Sequence, residues 1–345
     1  MKHLVPFATL SLVCTAVLIG SAQTGVKALT GYKVQYRFPI EGADGWDYIT
    51  VDSAARRLYV SHGVRVNVLD ADTGSALGTI ENTSGVHGIA IVSSSNHGFT
   101  TNGKENKVSV FDATSLALIK KVDVGKGPDG IYYDAASNRV FTNNHGSHDI
   151  TAIDGTSSEV IGTVAVGGDG EGVVRGKDGL IYVALEDKNE LCAFDPKTLE
   201  VKRHIPLEGV DAPTGVAVDT KNDRFFVGGH NKTMVVVNGQ TGKKIASFPT
   251  GSGTDAAGFD DQARLIFASN GEGNITVIHQ LSADKYTAET PIITQPSAKT
   301  MAFDTRTRQI YLPAATVIIT PAADTNSKPT RSITAGTFAV LVVGK

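Results

Sequence analysis

The sequence predicts an all-β protein folded as a seven-bladed β-propeller with four-stranded antiparallel blades. Three observations carry this prediction: a repeated unit, a two-residue hydrophobic alternation within each unit, and incomplete units at the two ends that complement each other. The chain has 345 residues and 37 glycines, which suits a turn-rich β protein. That length alone would favour two domains, but repeats with no linker between them predict a single domain over residues 33–343.

The repeated unit recurs seven times, at intervals of 40–44 residues. Each copy contains a short apolar run, a run centred on an aromatic residue, an alternating run and a final strand, separated by turns. The aromatic residues of the second runs are Tyr59, Phe99, Phe141, Tyr182, Phe226, Phe267 and Tyr311. A period of this length with four strands per unit is typical of propeller blades. The two-residue alternation and the β-branched residues argue against helical repeats of similar length.

The turn after the third run has its own signature. In several copies this run ends in Asp or Asn shortly before Thr or Ser, as in Asp112-Ala113-Thr114-Ser115. Such a side chain can accept hydrogen bonds from the turn backbone. We therefore expect a tight hairpin between the third and fourth strands of a blade.

The ends of the second runs carry a further pattern. They are Tyr59-Val60-Ser61-His62, Phe99-Thr100-Thr101-Asn102, Phe141-Thr142-Asn143-Asn144, Phe226-Val227-Gly228-Gly229 and Phe267-Ala268-Ser269-Asn270. Gly127-Pro128-Asp129-Gly130 and Ala212-Pro213-Thr214-Gly215 add a Gly-Pro-x-Gly-like motif at the start of the first run. In these features the chain resembles the YVTN-repeat (YncE-like) seven-bladed propellers over about residues 33–343. The resemblance implies the propeller fold and a binding or scaffolding role.

Residues 1–22 are typical of a secretory signal peptide. Lys2 supplies the positive start, residues 4–19 are apolar, and residues 20–22 are small enough for cleavage, with residues 26–28 as a second possible site. The apolar run is short for a membrane span, which favours cleavage over an uncleaved anchor. We therefore expect an exported protein, periplasmic or extracellular, with no membrane span after signal cleavage.

Cleavage would leave Cys192 as the one cysteine, so no intrachain disulfide would be available. Cys192 lies in an alternating third run with no evident base beside it. An ordinary strand residue is therefore expected there, and not a reactive thiol.

The two ends of the chain complement each other. Residues 33–40 resemble a fourth run with no first three runs before them. The seventh unit has a first run (299–304), a second (309–312) and a late third (338–342), but no fourth. We therefore expect the N-terminal strand to complete the last blade, which closes the ring and removes two exposed strand edges. We also expect a monomer.

The seventh unit contains an insertion over about residues 313–336. Tyr311 precedes Phe338 by 27 residues, whereas the corresponding spacing is 7–9 residues in the other units. The insertion is either a plain surface loop or a lid or partner-binding loop, because long loops in compact domains are often functional.

Two rings of residues should face the mouth of the central channel. The inner ring, at the start of each first strand, is Asp47, His87, Asp129, Glu171, Thr214, Asp255 and Lys299. The second ring, at the end of each second strand, is His62, Asn102, Asn144 with His145 and His148, Glu186, His230, Glu272 and Ala314. Trp46 lies beside Asp47. The inner ring therefore holds more ionisable groups than packing requires.

These rings predict a site for a protein or small-molecule ligand. The candidate ligand-binding residues are Trp46, Asp47, His62, His87, Asp129, His145, Glu171, His230, Asp255 and Lys299. A divalent metal such as Zn or Cu is the cofactor that His and carboxylate ligands suggest. Its candidate ligands are His62, His87, Asp129, His145 and Glu171. The alternative is that the carboxylates cap turns or bond to the neighbouring blade, and that the histidines are merely solvated.

Several function classes lack support in the sequence. No Gly-x-Ser-x-Gly elbow is present, and the glycine-rich segment 167–172 carries acids and precedes a strand, so it does not suit a phosphate. A net charge of −3 and an acidic rim make nucleic acid an unlikely partner. We expect a non-catalytic binding or scaffold protein. The alternative is a periplasmic metal-binding protein or a metal-dependent hydrolase of lactonase type, with His87, Asp129 and Glu171 as its catalytic residues.

Overall fold

A computed structural model of the protein describes Met1, residues 31–320 and residues 329–345. Most of the predicted signal peptide (residues 2–22) and part of the predicted insertion (residues 321–328) lie outside these described residues. Across the described ranges the secondary structure consists of 31 β-strands without helices. Those ranges accordingly hold no helix that could span a membrane.

The strands form seven four-stranded antiparallel blades around a central channel, which confirms the predicted fold class. The N-terminal strand and blades 1 to 3 are β1 (Lys33–Pro39); β2 (Ile49–Asp52), β3 (Arg57–His62), β4 (Arg65–Asp70), β5 (Ala76–Ile80); β6 (Val86–Val92), β7 (His97–Asn102), β8 (Lys107–Asp112), β9 (Leu118–Asp123); and β10 (Pro128–Asp134), β11 (Arg139–Asn144), β12 (Asp149–Asp154), β13 (Val160–Val164). Blades 4 to 6 are β14 (Gly170–Arg175), β15 (Ile181–Leu185), β16 (Glu190–Phe194), β17 (Val201–Pro206); β18 (Pro213–Asp219), β19 (Arg224–Gly229), β20 (Thr233–Asn238), β21 (Lys244–Pro249); and β22 (Thr254–Asp260), β23 (Leu265–Asn270), β24 (Asn274–Ser282), with β25 (Lys285–Ala288) and β26 (Ile292–Ile293) on its outer edge. The remaining strands are β27 (Ala302–Phe303), β28 (Ile310–Ala314), β29 (Val317–Thr320), β30 (Thr330–Ile333) and β31 (Ala339–Gly344).

The N-terminal strand closes the ring as predicted. Blade 7 has the strand order β27-β28-β31-β1, and β1 pairs antiparallel with β31, so that Phe38 faces Val340. The outer strand of this blade thus comes from the opposite end of the chain. The closure pairs both terminal strands within one blade, with β1 as its outer strand.

The insertion in blade 7 is more ordered than a plain loop. Its described residues include a separate two-stranded antiparallel hairpin, β29-β30, in which Val317 faces Ile333. Ile318 and Ile319 on β29 are exposed, whereas Ile333 on β30 packs against the core below. Strand β30 therefore anchors the insertion to the propeller through Ile333.

The core consists of seven hydrophobic clusters, one between each pair of neighbouring blades. The cluster between the last and first blades joins Tyr311 and Phe338 to Leu58 and Val60, so the packing continues around the whole ring. The second-strand aromatic residue of every blade has no more than 1% of its surface exposed. Burying a large apolar side chain contributes about 1.5–3 kcal/mol. This accounts for the recurrence of an aromatic residue once in every unit.

The turns between third and fourth strands have the predicted geometry. Asp70 Oδ1 accepts hydrogen bonds from the backbone N–H groups of Asp72 and Thr73, at 3.0 and 2.8 Å. The same pattern recurs at Asp112, Asp154 and Asp195. These hydrogen bonds to the ionised form hold the carboxyl pKa values below their ordinary range.

Other charged contacts tie neighbouring blades together. In one of them Arg56 of blade 1 pairs with Asp304, which lies in the turn between β27 and β28 of blade 7. The Asp304 side chain has no exposed surface, and it also accepts hydrogen bonds from Ser53 and Thr307 at 2.6 Å. This contact reinforces the junction at which the ring closes.

Candidate functional site at the channel mouth

The inner-ring residues are positioned by a backbone irregularity that recurs from blade to blade. His87, Asp129, Glu171 and Asp255 each lie at the start of the first strand of a blade, where the pairing register shifts. A β-bulge of this kind redirects a side chain that would otherwise follow the regular alternation. The sequence therefore presents one polar side chain per blade at the same end of the channel.

The residue after the ring position is usually glycine, because the first strands of neighbouring blades approach closely there. A Cβ added at Gly172 would come within 2.4 Å of the carbonyl oxygen of Thr214, and one added at Gly215 within 2.7 Å of the Ala256 backbone. Backbone atoms cannot move aside as the end of a flexible side chain can. This close approach holds the ring residues of adjacent blades within reach of one another.

Lys299 links two of the carboxylates. Its Nζ lies 2.6 Å from Asp255 Oδ2 and 3.0 Å from Asp47 Oδ1. Burial acts to lower the pKa of Lys299, but the two carboxylates outweigh it and raise that pKa above its ordinary value. Burial raises the pKa of Asp255 although Lys299 opposes the change. Lys299 therefore acts as a fixed cation between Asp255 and Asp47.

His87 continues the arc from Asp47 to Asp129. Its Nδ1 lies 2.7 Å from Asp47 Oδ2 and 3.7 Å from Asp129 Oδ1. Burial acts to lower the pKa of His87, but the hydrogen bond to Asp47 and the charge of Asp129 raise it overall. Burial likewise acts to raise the pKa of Asp47, and the hydrogen bond from His87 and the charge of Lys299 outweigh it, so that this pKa is lowered.

Asp129 is the most perturbed carboxyl group at the mouth. Its Oδ1 is inaccessible to solvent and has no hydrogen-bond partner. Burial, followed by the nearby charge of Glu171, raises the pKa of Asp129 to about 7. Near neutral pH Asp129 is therefore only partly ionised, because burial and the charge of Glu171 outweigh the attraction of His87 and His145.

His145 faces Glu171 on the far side of Asp129. His145 Nε2 lies 3.0 Å from Glu171 Oε1, although the ring nitrogen does not have the geometry of a hydrogen bond and is otherwise buried without a partner. The Glu171 carboxylate raises the pKa of His145 to about 9. His145 was placed in the second ring by the sequence, and the structure brings it to the inner ring.

Among the residues that the structure describes, this arrangement produces two groups of possible metal ligands. One consists of Asp47, His87 and Asp129, and the other of Asp129, His145 and Glu171. Within each group, one donor atom from every residue lies within 4.8 Å of the others. Asp129 belongs to both groups.

Tyr48 is a site residue that the sequence reasoning missed. Its hydroxyl, from blade 1, donates a hydrogen bond of 2.9 Å to Glu171 Oε2 of blade 4, across the channel. Burial, followed by the charge of Glu171, raises the pKa of Tyr48 well above its ordinary value, so the hydroxyl remains a donor. The sequence did hold a signal: the equivalent positions in the other blades all carry small residues. They are Gly88, Gly130, Gly172, Gly215, Ala256 and Thr300.

Five of the ten candidate ligand-binding residues lie outside both groups: Asp255 and Lys299, which pair with each other, and His62, Trp46 and His230. His62 is fully buried; its Nδ1 lies 2.9 Å from Asn67 Oδ1, and its ring packs 4.5 Å from that of Phe338. Burial lowers the pKa of His62. Trp46 also packs on Phe338, with ring centroids 5.1 Å apart. His230 lies 3.5 Å from Glu186.

The turn-capping interpretation does not describe the inner carboxylates. In the described part of the chain, Asp47, Asp129 and Asp255 accept no hydrogen bond from a backbone N–H through their side chains. Asp47 and Asp255 do bond to a neighbouring blade, through His87 and Lys299. Cys192 lies buried in β16, and burial raises the pKa of its thiol to about 12, in keeping with an ordinary strand residue.

Comparisons with known proteins show the fold. No protein-family model matches the chain, and no curated protein matches it in sequence. A chain from "Crystal Structure of Mitotic Checkpoint Complex" superposes with a TM-score of 0.71 at 14% identity, over 97% of this chain and 99% of that one. A chain from "Kuenenia stuttgartiensis Hydrazine Synthase" superposes with a TM-score of 0.69 at 15% identity, over 86% and 98% of the two chains. The protein is therefore similar in fold to solved β-propellers.

Proposed function

We propose that this protein is an exported binding protein that captures a divalent transition-metal ion at its channel mouth. The observation that carries the proposal is Asp129 Oδ1, a buried carboxylate oxygen without a hydrogen-bond partner inside a group of histidines and carboxylates. Export to the periplasm or outside the cell, and membership of the YVTN-repeat (YncE-like) propellers, are parts of the same proposal. They rest on the sequence of residues 1–22 and on the ends of the second runs.

The unpaired oxygen of Asp129 destabilises the protein in the absence of a ligand. A buried acceptor without a partner costs about 1–3 kcal/mol, and more when it is charged. Glu171 adds repulsion, which is one cause of the raised pKa of Asp129. Strongly perturbed groups of this kind concentrate at functional sites. A bound cation would satisfy the oxygen and remove the repulsion together.

The donor set indicates the class of ion. Imidazole nitrogen combined with carboxylate oxygen suits zinc, copper or nickel, whereas calcium and magnesium prefer oxygen ligands alone. Each group supplies three protein ligands, which is the number found in zinc sites that keep an open position.

The test is elemental analysis of the mature protein, expressed with its own signal and purified without chelator. We expect bound zinc or copper, retained after a brief wash and lost in Asp129→Asn. Asp123→Asn is the matched control and should keep the metal, because the Asp123 side chain, on the outer strand of blade 2, is 86% exposed and pairs with Lys107. Absence of metal in the wild type, even after incubation with excess zinc, would refute the proposal.

An open position on the ion also favours a second candidate, a metal-dependent hydrolase of lactonase type. A substrate carbonyl oxygen bound at that open position would be polarised by the ion. Turnover of a simple lactone by the zinc-loaded protein, lost in His87→Ala with the fold intact, would support this candidate. Zinc-loaded protein without turnover would leave the binding role alone.

A further inference from the structure

We propose that the channel mouth holds two divalent ions side by side, with Asp129 as the carboxylate that they share; this inference rests on the metal binding proposed above. The two possible ligand groups each contain one histidine of their own. His87 belongs to the first group and His145 to the second. Each group also has its own carboxylate, from Asp47 or Glu171. Asp129 is common to both.

The distances suit one ion in each group. Two ligands at about 2.0–2.1 Å from a tetrahedral ion lie about 3.3 Å from each other. In the first group His87 Nδ1 lies 2.7 Å from Asp47 Oδ2 and 3.7 Å from Asp129 Oδ1. In the second, His145 Nε2 lies 3.0 Å from Glu171 Oε1. Small side-chain movements would therefore bring both groups to coordination distance.

Each group contains one buried donor atom that makes no hydrogen bond. Asp129 Oδ1 faces His87, and His145 Nε2 faces Glu171 without hydrogen-bond geometry. Both atoms are buried, so bulk water does not satisfy them. An ion bound by the first group would leave His145 Nε2 without a partner. An ion bound by the second group would reach both atoms but leave His87 and Asp47 unused. Each group has a histidine and a carboxylate of its own, which is the reason for inferring two ions.

The neighbouring residues limit the number of ions to two. The next gap around the ring, between Asp47 and Asp255, is already filled by the Lys299 ammonium group. On the other side, Tyr48 holds Glu171 Oε2 by its hydrogen bond and leaves Oε1 towards His145. Pairs of ions about 3.5–4 Å apart are a recurrent arrangement in metalloproteins.

Zinc stoichiometry in a set of single variants tests this inference. The full-length mature protein would be stripped with chelator, dialysed against a fixed excess of zinc, washed, and analysed for zinc per chain. We expect two zinc ions in the wild type, one in His87→Ala, one in His145→Ala and none in Asp129→Asn. His204→Ala is the matched control and should retain two, because His204 Nδ1 pairs with Glu190 at 2.7 Å on the outer strands of blade 4. Circular dichroism would confirm that each variant keeps the β fold.

The outcomes separate this inference from the proposed function. No zinc in the wild type would refute both. One zinc in the wild type would preserve the proposed function and overturn the two-ion site. Two zinc ions that are both lost, or both kept, in a single histidine variant would also overturn the shared-carboxylate arrangement. Exchange coupling between two bound Cu(II) ions in electron paramagnetic resonance would give independent support.

Discussion

Replacing Asp129 by asparagine is expected to stabilise the metal-free protein at pH 8 and to leave its stability nearly unchanged at pH 4. Asparagine has almost the same shape and cannot ionise. The substitution therefore removes the buried charge, its repulsion by Glu171 and its attraction to His87 and His145, of which burial is the largest effect. A residue that destabilises the metal-free protein is expected at a functional site, where ligand binding offsets its cost.

The magnitude follows from the pKa of Asp129. This pKa is raised from 3.8 to about 7 in the folded protein, so between those values the folded state holds a proton that the unfolded state has lost. Stability therefore falls as the pH rises from about 4 to about 7, and the whole loss is present above about 7. A pKa difference of about 3, at 1.36 kcal/mol for each pKa unit, corresponds to roughly 4 kcal/mol. We expect Asp129→Asn to recover about 2–4 kcal/mol at pH 8.

Urea unfolding in the presence of chelator is the appropriate assay. The protein has one tryptophan, Trp46, which packs on Phe338 at the junction of the last and first blades, so its fluorescence reports ring opening. The free energy of unfolding would be measured at pH 4, 6 and 8 for the wild type, for Asp129→Asn and for the exposed control Asp123→Asn. The advantage of Asp129→Asn should grow with pH, whereas the control should follow the wild type throughout.

An Asp129→Asn variant that is no more stable than the wild type at pH 8 would refute this reasoning. It would mean that neighbouring groups of the protein stabilise the ionised carboxylate of Asp129 enough to offset its burial. The argument from its unpaired oxygen to a cation site would then fail, whatever the metal content of the protein.

Three further predictions concern the ring and the site. Burial acts to raise the pKa of Asp304, but hydrogen bonds and Arg56 outweigh it and hold that pKa at about 2. The stability that the Arg56–Asp304 pair contributes should therefore be lost as the pH falls from about 4 to about 2. In urea unfolding, Asp304→Asn should show a weaker acid transition at pH 2–5 and be less stable than the wild type at pH 7. Phe338→Ala should cost about 3–5 kcal/mol in the same assay because the ring is buried, whereas Ile318→Ser on the exposed hairpin should change stability by less than about 0.5 kcal/mol; equal effects would contradict the packing described. Tyr48→Phe should weaken zinc binding by about 10-fold or more in calorimetry with the melting temperature nearly unchanged, because the hydroxyl orients Glu171; an unchanged affinity would remove Tyr48 from the site.

The features predictable from the sequence were those that repeat or complement each other. Seven spaced aromatic residues predicted the blades, and the fourth run at residues 33–40 predicted the closure, because a missing strand at one end matched a surplus strand at the other. The Asp-capped turns were predictable because the interaction lies within four residues of chain. In each case a local rule or a count was sufficient.

The features that the sequence did not predict depend on side-chain direction and on contacts between distant blades. His62 has the sequence position of a rim residue, but it is buried beneath Phe338, a residue that follows the insertion in the last blade. Tyr48 reaches blade 4 from blade 1, a contact that no spacing along the chain implies. The hairpin of the insertion pairs Val317 with Ile333, and its strands of four residues each were too short to stand out in the sequence. Alignment of repeats orders residues around a ring but gives no distances across it.

The pairing of β1 with β31 has a consequence for how the protein is made. Lys33 pairs with Gly344, so the first strand to leave the ribosome finds its neighbours only when the last strand has followed. Six blades can assemble in the order of synthesis, but the seventh must wait for both ends of the chain. A chain without β31 would leave β1 without its partner and blade 7 with only β27 and β28 paired, so closure of the ring reports that this last strand has been made.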